Sequence, residues 1–109
     1  MNKPARTLAA LILLAFAGAA AHASQEVVVT QKNKAFSSPK LAIHPGDKVT
    51  FRNEDTFVHN VFSLTDAQSF DLGTYPQGQA KSVTFAKAGT YDIECAIHPE
   101  MKLQITVAP

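Results

Sequence analysis

The sequence predicts an all-β sandwich of about seven to eight short strands, and three observations carry that expectation. Beyond Ser24 no segment holds an apolar repeat of helical period. β-Branched and aromatic runs recur instead, each bounded by Gly, Pro, Asn or Asp. Two of them, 47–51 (DKVTF) and 81–85 (KSVTF), alternate with the period of two that gives a strand one buried face.

Taken in order, 26–30 (EVVVT) is a β-branched run and the first strand. The second, 40–44 (KLAIH), is closed by a Pro45-Gly46 turn, a pairing that stops a strand. His44 reads as a residue of that turn. In 47–51, Val49 and Phe51 share a face; Asn53, Glu54 and Asp55 then break the run. The next strand is 59–63 (HNVFS). Residues 68–77 are ambiguous, extended with a turn near Pro76-Gln77-Gly78. Residues 81–85 follow, and Ala88-Gly89 turns the chain. The run 90–95 (TYDIEC) precedes a loop at 96–100, and 101–107 (MKLQITV) closes the domain with Leu103, Ile105 and Val107 on one face. Phe36, Phe51, Phe62, Phe70, Phe85, Tyr75 and Tyr91 are the expected aromatic core. Lys32 and Lys34 read as a solvated pair.

Residues 1–23 have the pattern of a secretory signal. Lys3 and Arg6 make a positive start, 8–21 is apolar, and Ala21-His22-Ala23 is a small-x-small cleavage pattern. The apolar run is short of the roughly 20 residues that span a bilayer. No Cys stands at the cut to take a lipid. The expectation is a signal peptide over 1–23 and one domain over 24–109, exported to the periplasm. His22 would leave with the signal.

Composition narrows the function classes. The chain has 109 residues, which suits one small domain rather than a multidomain enzyme. Ten Lys and Arg stand against nine Asp and Glu, a formal charge of +1 that becomes −1 once Lys3 and Arg6 are removed. A nucleic-acid binder should carry a clear basic excess. The single Cys excludes an internal disulfide. Export nonetheless places that thiol in an oxidising compartment, where it needs a chemical reason to persist.

One constellation supplies the reason. Cys95-Ala-Ile-His98-Pro-Glu-Met101 has the spacing C-x2-H-x2-M on a loop between the last two strands. A thiolate, an imidazole and a thioether on one short loop are able to converge on a single ion. Soft sulfur with imidazole favours copper, and two His, one Cys and a weak axial Met make the blue-copper arrangement. His59, opening a strand 36 residues before Cys95, is the candidate second imidazole. Zinc is the chemical competitor, but structural zinc sites use four Cys or His ligands and do not favour Met.

Carried on these residues, the chain resembles the small periplasmic cupredoxins of the plastocyanin, pseudoazurin and amicyanin kind. It is most similar to the short plastocyanin-like proteins labelled methylamine-utilisation proteins. The likeness covers 31–39 (QKNKAFSSP), 45–51 (PGDKVTF), 58–62 (VHNVF), 69–75 (SFDLGTY), 88–92 (AGTYD) and 95–101 (CAIHPEM). The resemblance implies a Greek-key cupredoxin sandwich holding one copper ion. His59, Cys95 and His98 would be equatorial ligands and Met101 the axial one, on a loop of amicyanin length. It implies single-electron transfer through the exposed edge of His98. The partner would be a transient redox protein, such as a c-type cytochrome or a periplasmic dehydrogenase. The carrier would be a monomer with no nucleic acid and no membrane insertion.

The resemblance also makes Asn60 the side chain that ties the first-ligand strand to the Cys loop. Ala96 stands where the family often carries a hydroxyl partner for that Asn, and Glu94 where plastocyanin has an aromatic. Glu100, beside His98, would favour a partner with a basic patch.

Three other readings stand beside the carrier. One is a periplasmic copper-binding protein for tolerance or delivery. Another is an interaction sandwich in which Cys95 and Met101 are packing and His59 and His98 ordinary histidines. The last is a Cys-His nucleophile pair from Cys95 and His98, with no substrate-pocket signal to support it.

Overall fold

The computed structural model describes residues 2–4 and 22–109. The cleavage pattern and apolar run of the leader fall largely outside the described residues. Among the described residues there are nine strands and no helix, and so none long and apolar enough to cross a membrane.

The strands are β1 (Glu26–Lys32), β2 (Ala35–Phe36), β3 (Lys40–Ile43), β4 (Lys48–Asn53), β5 (His59–Ser63), β6 (Phe70–Tyr75), β7 (Ala80–Thr84), β8 (Gly89–Glu94) and β9 (Lys102–Val107). They form two sheets, ordered β2-β1-β4-β7 and β3-β9-β8-β5-β6. Two pairings are parallel, β1 with β4 and β3 with β9; the others are antiparallel. Neighbours so distant in sequence, with antiparallel strands between them, make the crossings of a Greek key.

The alternation expected from sequence is what buries the core. Val49 and Phe51 on β4 face Tyr91 and Ile93 on β8 and Leu103 and Ile105 on β9 within one cluster. Each such side chain, fully buried, stabilises by about 1.5–3 kcal/mol. Of the aromatics expected inside, Phe36, Phe51, Phe85, Tyr75 and Tyr91 are buried. Phe70 packs against the core from its rim. Phe62 is half-buried, paired in register with Glu94.

The ninth strand is β2, two residues long, which the sequence pattern did not isolate. It pairs with the end of β1 through a two-residue turn at Asn33 and Lys34, with φ of 53° and 55°. Positive φ at both central residues is the hairpin geometry that matches strand twist. The ambiguous stretch at 68–77 resolves into β6. Its register against β5 slips between Asn60 and Phe62, so that β6 carries an extra residue there. Gly73, at φ +71°, sits in this bulge, where a side chain would be strained.

Strand directions decide what meets at one pole. β4 ends at Asn53, β5 starts at His59, and β8 runs antiparallel to β5 and ends at Glu94. The loop 95–101 and the Asn33–Lys34 turn therefore lie at that pole as well. Buried Asn53 ties the link from β4 to β5: its Nδ2 donates to the carbonyls of Phe57 and Tyr75 at 2.8 and 3.0 Å, and its Oδ1 accepts the Asp55 N–H at 2.8 Å.

Candidate metal centre

Three donor atoms converge at this pole. Cys95 Sγ lies 3.9 Å from His59 Nδ1 and 4.0 Å from His98 Nδ1, and the two Nδ1 atoms are 3.1 Å apart. His59 and Cys95 are buried, whereas His98 is half-buried, so the site meets solvent through His98. Met101 is 1% exposed at the base of the same loop. Its N–H donates to the His98 carbonyl at 2.9 Å. Residues 98–101 thus form a β-turn with Pro99 at its second position, where the fixed proline φ suits the turn.

The donor set fits copper. His59 Nε2 is 2.9 Å from Asp55 Oδ2. A carboxylate only accepts, so Nε2 carries the proton and Nδ1 presents its lone pair to the cluster. His98 Nδ1 and the Cys95 sulfur face that lone pair. This is a soft and borderline donor group suited to copper. A hydrogen bond from the far ring nitrogen also orients a ligating imidazole.

Asp55 is in turn fixed. Its Oδ2 accepts the Lys34 N–H at 2.8 Å. That backbone bond is the main cause holding its carboxyl below the ordinary value; burial opposes it and the His59 bond adds to it. The sulfur is approached as well: the Asn60 N–H points at Cys95 Sγ over 3.4 Å. Asn60 Oδ1 accepts the Ala96 N–H at 2.9 Å. The expected tie between β5 and the Cys loop is therefore made, through the backbone of residue 96 rather than a side-chain hydroxyl. Buried Tyr75, opposite His59 in register, has its phenol pKa pushed well up, first by burial and then by the charge of Cys95.

Three contributors were not legible in the sequence as site residues: Asp55, Phe57 and Lys34. Asp55 read as a strand breaker, and its partner His59 reaches it only through the shape of the intervening loop. Phe57 stands edge-on to the His98 ring at 5.8 Å, and Lys34 Nζ lies 4.7 Å from the Phe57 ring centre. Lys34 is thus more than a solvated charge, since its backbone and ammonium touch the surroundings of both histidines.

One other histidine and carboxylate group gathers among the described residues: His22, His44 and Asp47, with donor atoms within 4.8 Å of one another. It lies at the opposite pole, where His44 occupies the expected turn. The Asp47 carboxylate already accepts the N–H groups of Gln25 and His44, both at 2.9 Å. The His22 and His44 rings stack at 3.9 Å. Removal of 1–23 would leave only two of the three residues.

Comparison with known proteins agrees with this geometry. The family described as cupredoxin-like domain matches residues 5–107. Amicyanin of Paracoccus denitrificans is 34% identical over 92 residues, 82% of this chain and 70% of the relative. Methylamine utilization protein MauL of Methylorubrum extorquens is 31% identical over 87 residues, 79% of this chain and 76% of the relative. Among solved structures, a reduced amicyanin variant superposes with TM-score 0.72 at 32% identity, covering 83% of this chain and 89% of that one. A copper-containing nitrite reductase from Thermus scotoductus gives TM-score 0.72 at 29% identity, covering 77% of this chain but only 22% of that one. The likeness to that enzyme is to a small part of it, whereas the likeness to amicyanin runs through both chains, and the chain belongs to the cupredoxin-like domain family.

Proposed function

We propose that this chain is a type 1 copper protein that carries single electrons, with His59 Nδ1, Cys95 Sγ and His98 Nδ1 as the three close ligands and Met101 as the weak fourth. The observation that carries the reading is the convergence of two ring nitrogens and one sulfur within 4.0 Å at a site where His98 is the half-buried member. Copper supplies the one-electron chemistry, by cycling between Cu(I) and Cu(II). The protein holds the donors still. Asp55 fixes His59, Asn60 fixes the Cys95 loop, and the Pro99 turn fixes Met101 relative to His98. Donors held by rigid strands and a closed turn move little when the charge changes, which keeps the cost of each transfer low.

The edge of His98 is the port. Phe57, Val58 and Ile97 are among the large apolar side chains left exposed, and they belong to this pole. A small apolar rim suits a brief redox encounter, whose interface is at the low end of protein contacts. The relatives named amicyanin and methylamine utilization protein support a partner that is a dehydrogenase or a c-type cytochrome. The leader pattern supports removal of 1–23 and work by 24–109 in the periplasm. The chain acts as a carrier rather than an enzyme.

The test is a visible and paramagnetic-resonance spectrum of the Cu(II)-loaded protein. An intense blue band with narrow copper hyperfine splitting, both abolished in Cys95→Ser, is the expected result. Copper bound without that signature would replace the carrier with a copper-handling protein.

A further inference from the structure

Asn60 is 5% exposed, and its side chain has two tasks at once. Oδ1 must take the Ala96 N–H at 2.9 Å to hold the Cys95 loop. Nδ2 then needs an acceptor of its own, because a buried amide left unpaired is costly. Ala96 has no hydroxyl to offer. The acceptor present is Asp71 Oδ1, 2.9 Å from Asn60 Nδ2 and supplied by β6.

The carboxylate is itself held. The Gly73 N–H donates to the same Oδ1 at 2.8 Å, in the bulge where β6 slips against β5 and Gly73 adopts its positive φ. The bulge thus brings the carboxylate of Asp71, an exposed residue, to the amide of Asn60.

We propose that Asp71 is a positioning residue of the copper loop, the acceptor that sets which way the Asn60 amide faces and thereby keeps its oxygen on the Ala96 N–H. An amide has a donor end and an acceptor end of nearly the same shape. A hydroxyl partner gives and takes hydrogen bonds, so it satisfies either orientation. A carboxylate only accepts, so Nδ2 must face it and Oδ1 must face the loop. The charge also strengthens the bond relative to a neutral pair. The inference rests on the copper reading for its effect on the site, but the hydrogen bonds belong to the chain alone.

Two variants separate geometry from charge. Asp71→Asn keeps an acceptor oxygen and removes the charge; Asp71→Ala removes both. Amide hydrogen exchange, read by NMR on the Cu(I) protein and on the metal-free chain, reports the Ala96 N–H directly. Asp71→Ala is expected to speed exchange at Ala96 by up to about tenfold, the scale of losing one part-buried hydrogen bond, without a like change in the strands. Asp71→Asn is expected to leave that exchange near the parent rate while raising the reduction potential, because a negative charge favours the more oxidised ion. Adding Ala96→Thr to Asp71→Ala is expected to restore protection through a new hydroxyl.

Unchanged exchange at Ala96 in Asp71→Ala would overturn the proposal. So would a uniform speeding of all amides, or failure of Ala96→Thr to restore protection. A parent chain without the blue spectrum would defeat the copper reading instead, and exchange in the metal-free chain would still decide the role of Asp71.

Discussion

Buried Asp55 Oδ2 and His59 Nε2 are 2.9 Å apart across the link from β4 to β5, and that one bond sets the face the imidazole offers to the cluster. With Nε2 as donor, Nδ1 is left bare 3.1 Å from His98 Nδ1. Asp55→Ala removes the acceptor and lets the His59 ring turn or change tautomer. Copper affinity should fall by about 10–100-fold, the usual effect of losing such a partner. Asp55→Asn keeps an acceptor oxygen and should retain most of the affinity. Competition with a chelator of known strength measures both.

Asp47 predicts acid sensitivity at the other pole. Its carboxyl is lowered from 3.8 to about 2, first by the His44 N–H and then by the Gln25 N–H. Both donors survive removal of 1–23. A lowered pKa means that the unfolded chain binds the proton more readily, so stability rises with pH across this window. The contribution is complete above pH 3.8 and is lost as the pH falls towards about 2. Asp47→Asn should therefore flatten the acid limb of a stability-against-pH curve. The difference from the parent should vanish at the acid end, as urea titrations at stepped pH would record.

What could be read from sequence follows from what each feature depends on. Val49, Phe51, Leu103, Ile105 and Val107 were legible as buried because strand period alone decides which face they take. His59, Cys95 and His98, which the structure brings together, were legible as one donor group because copper chemistry calls for imidazole beside a thiolate. β2 was not, since two residues hold no period and its hairpin rests on left-handed Asn33 and Lys34 rather than on glycine. Asp55, Lys34 and Asp71 were not legible either. Their roles depend on a loop path, a backbone N–H and a bulge, which residue type does not report.

The core reading has its own check. Ile105 is fully buried on β9, opposite Tyr91 in register. Ile105→Ala should destabilise the fold by about 2–5 kcal/mol through lost transfer energy and the cavity left behind. Far from the ligands, it should leave the blue spectrum of the remaining folded protein unchanged. Urea unfolding monitored at the blue band and in the far ultraviolet would give both quantities.

Met101 is where packing and ligation must be separated, since a 1% exposed methionine serves either purpose. Met101→Leu nearly conserves volume and should cost less than about 1.5 kcal/mol if packing were the whole role. In that case the spectrum and the potential would stay as in the parent. As the weak fourth ligand, Met101 donates to copper and so favours the more positively charged state. Its loss should raise the reduction potential and shift the copper hyperfine pattern while the metal-free chain melts close to the parent. Voltammetry and paramagnetic resonance on Met101→Leu, beside thermal melts without copper, distinguish the two roles. A potential equal to that of the parent would return Met101 to the core.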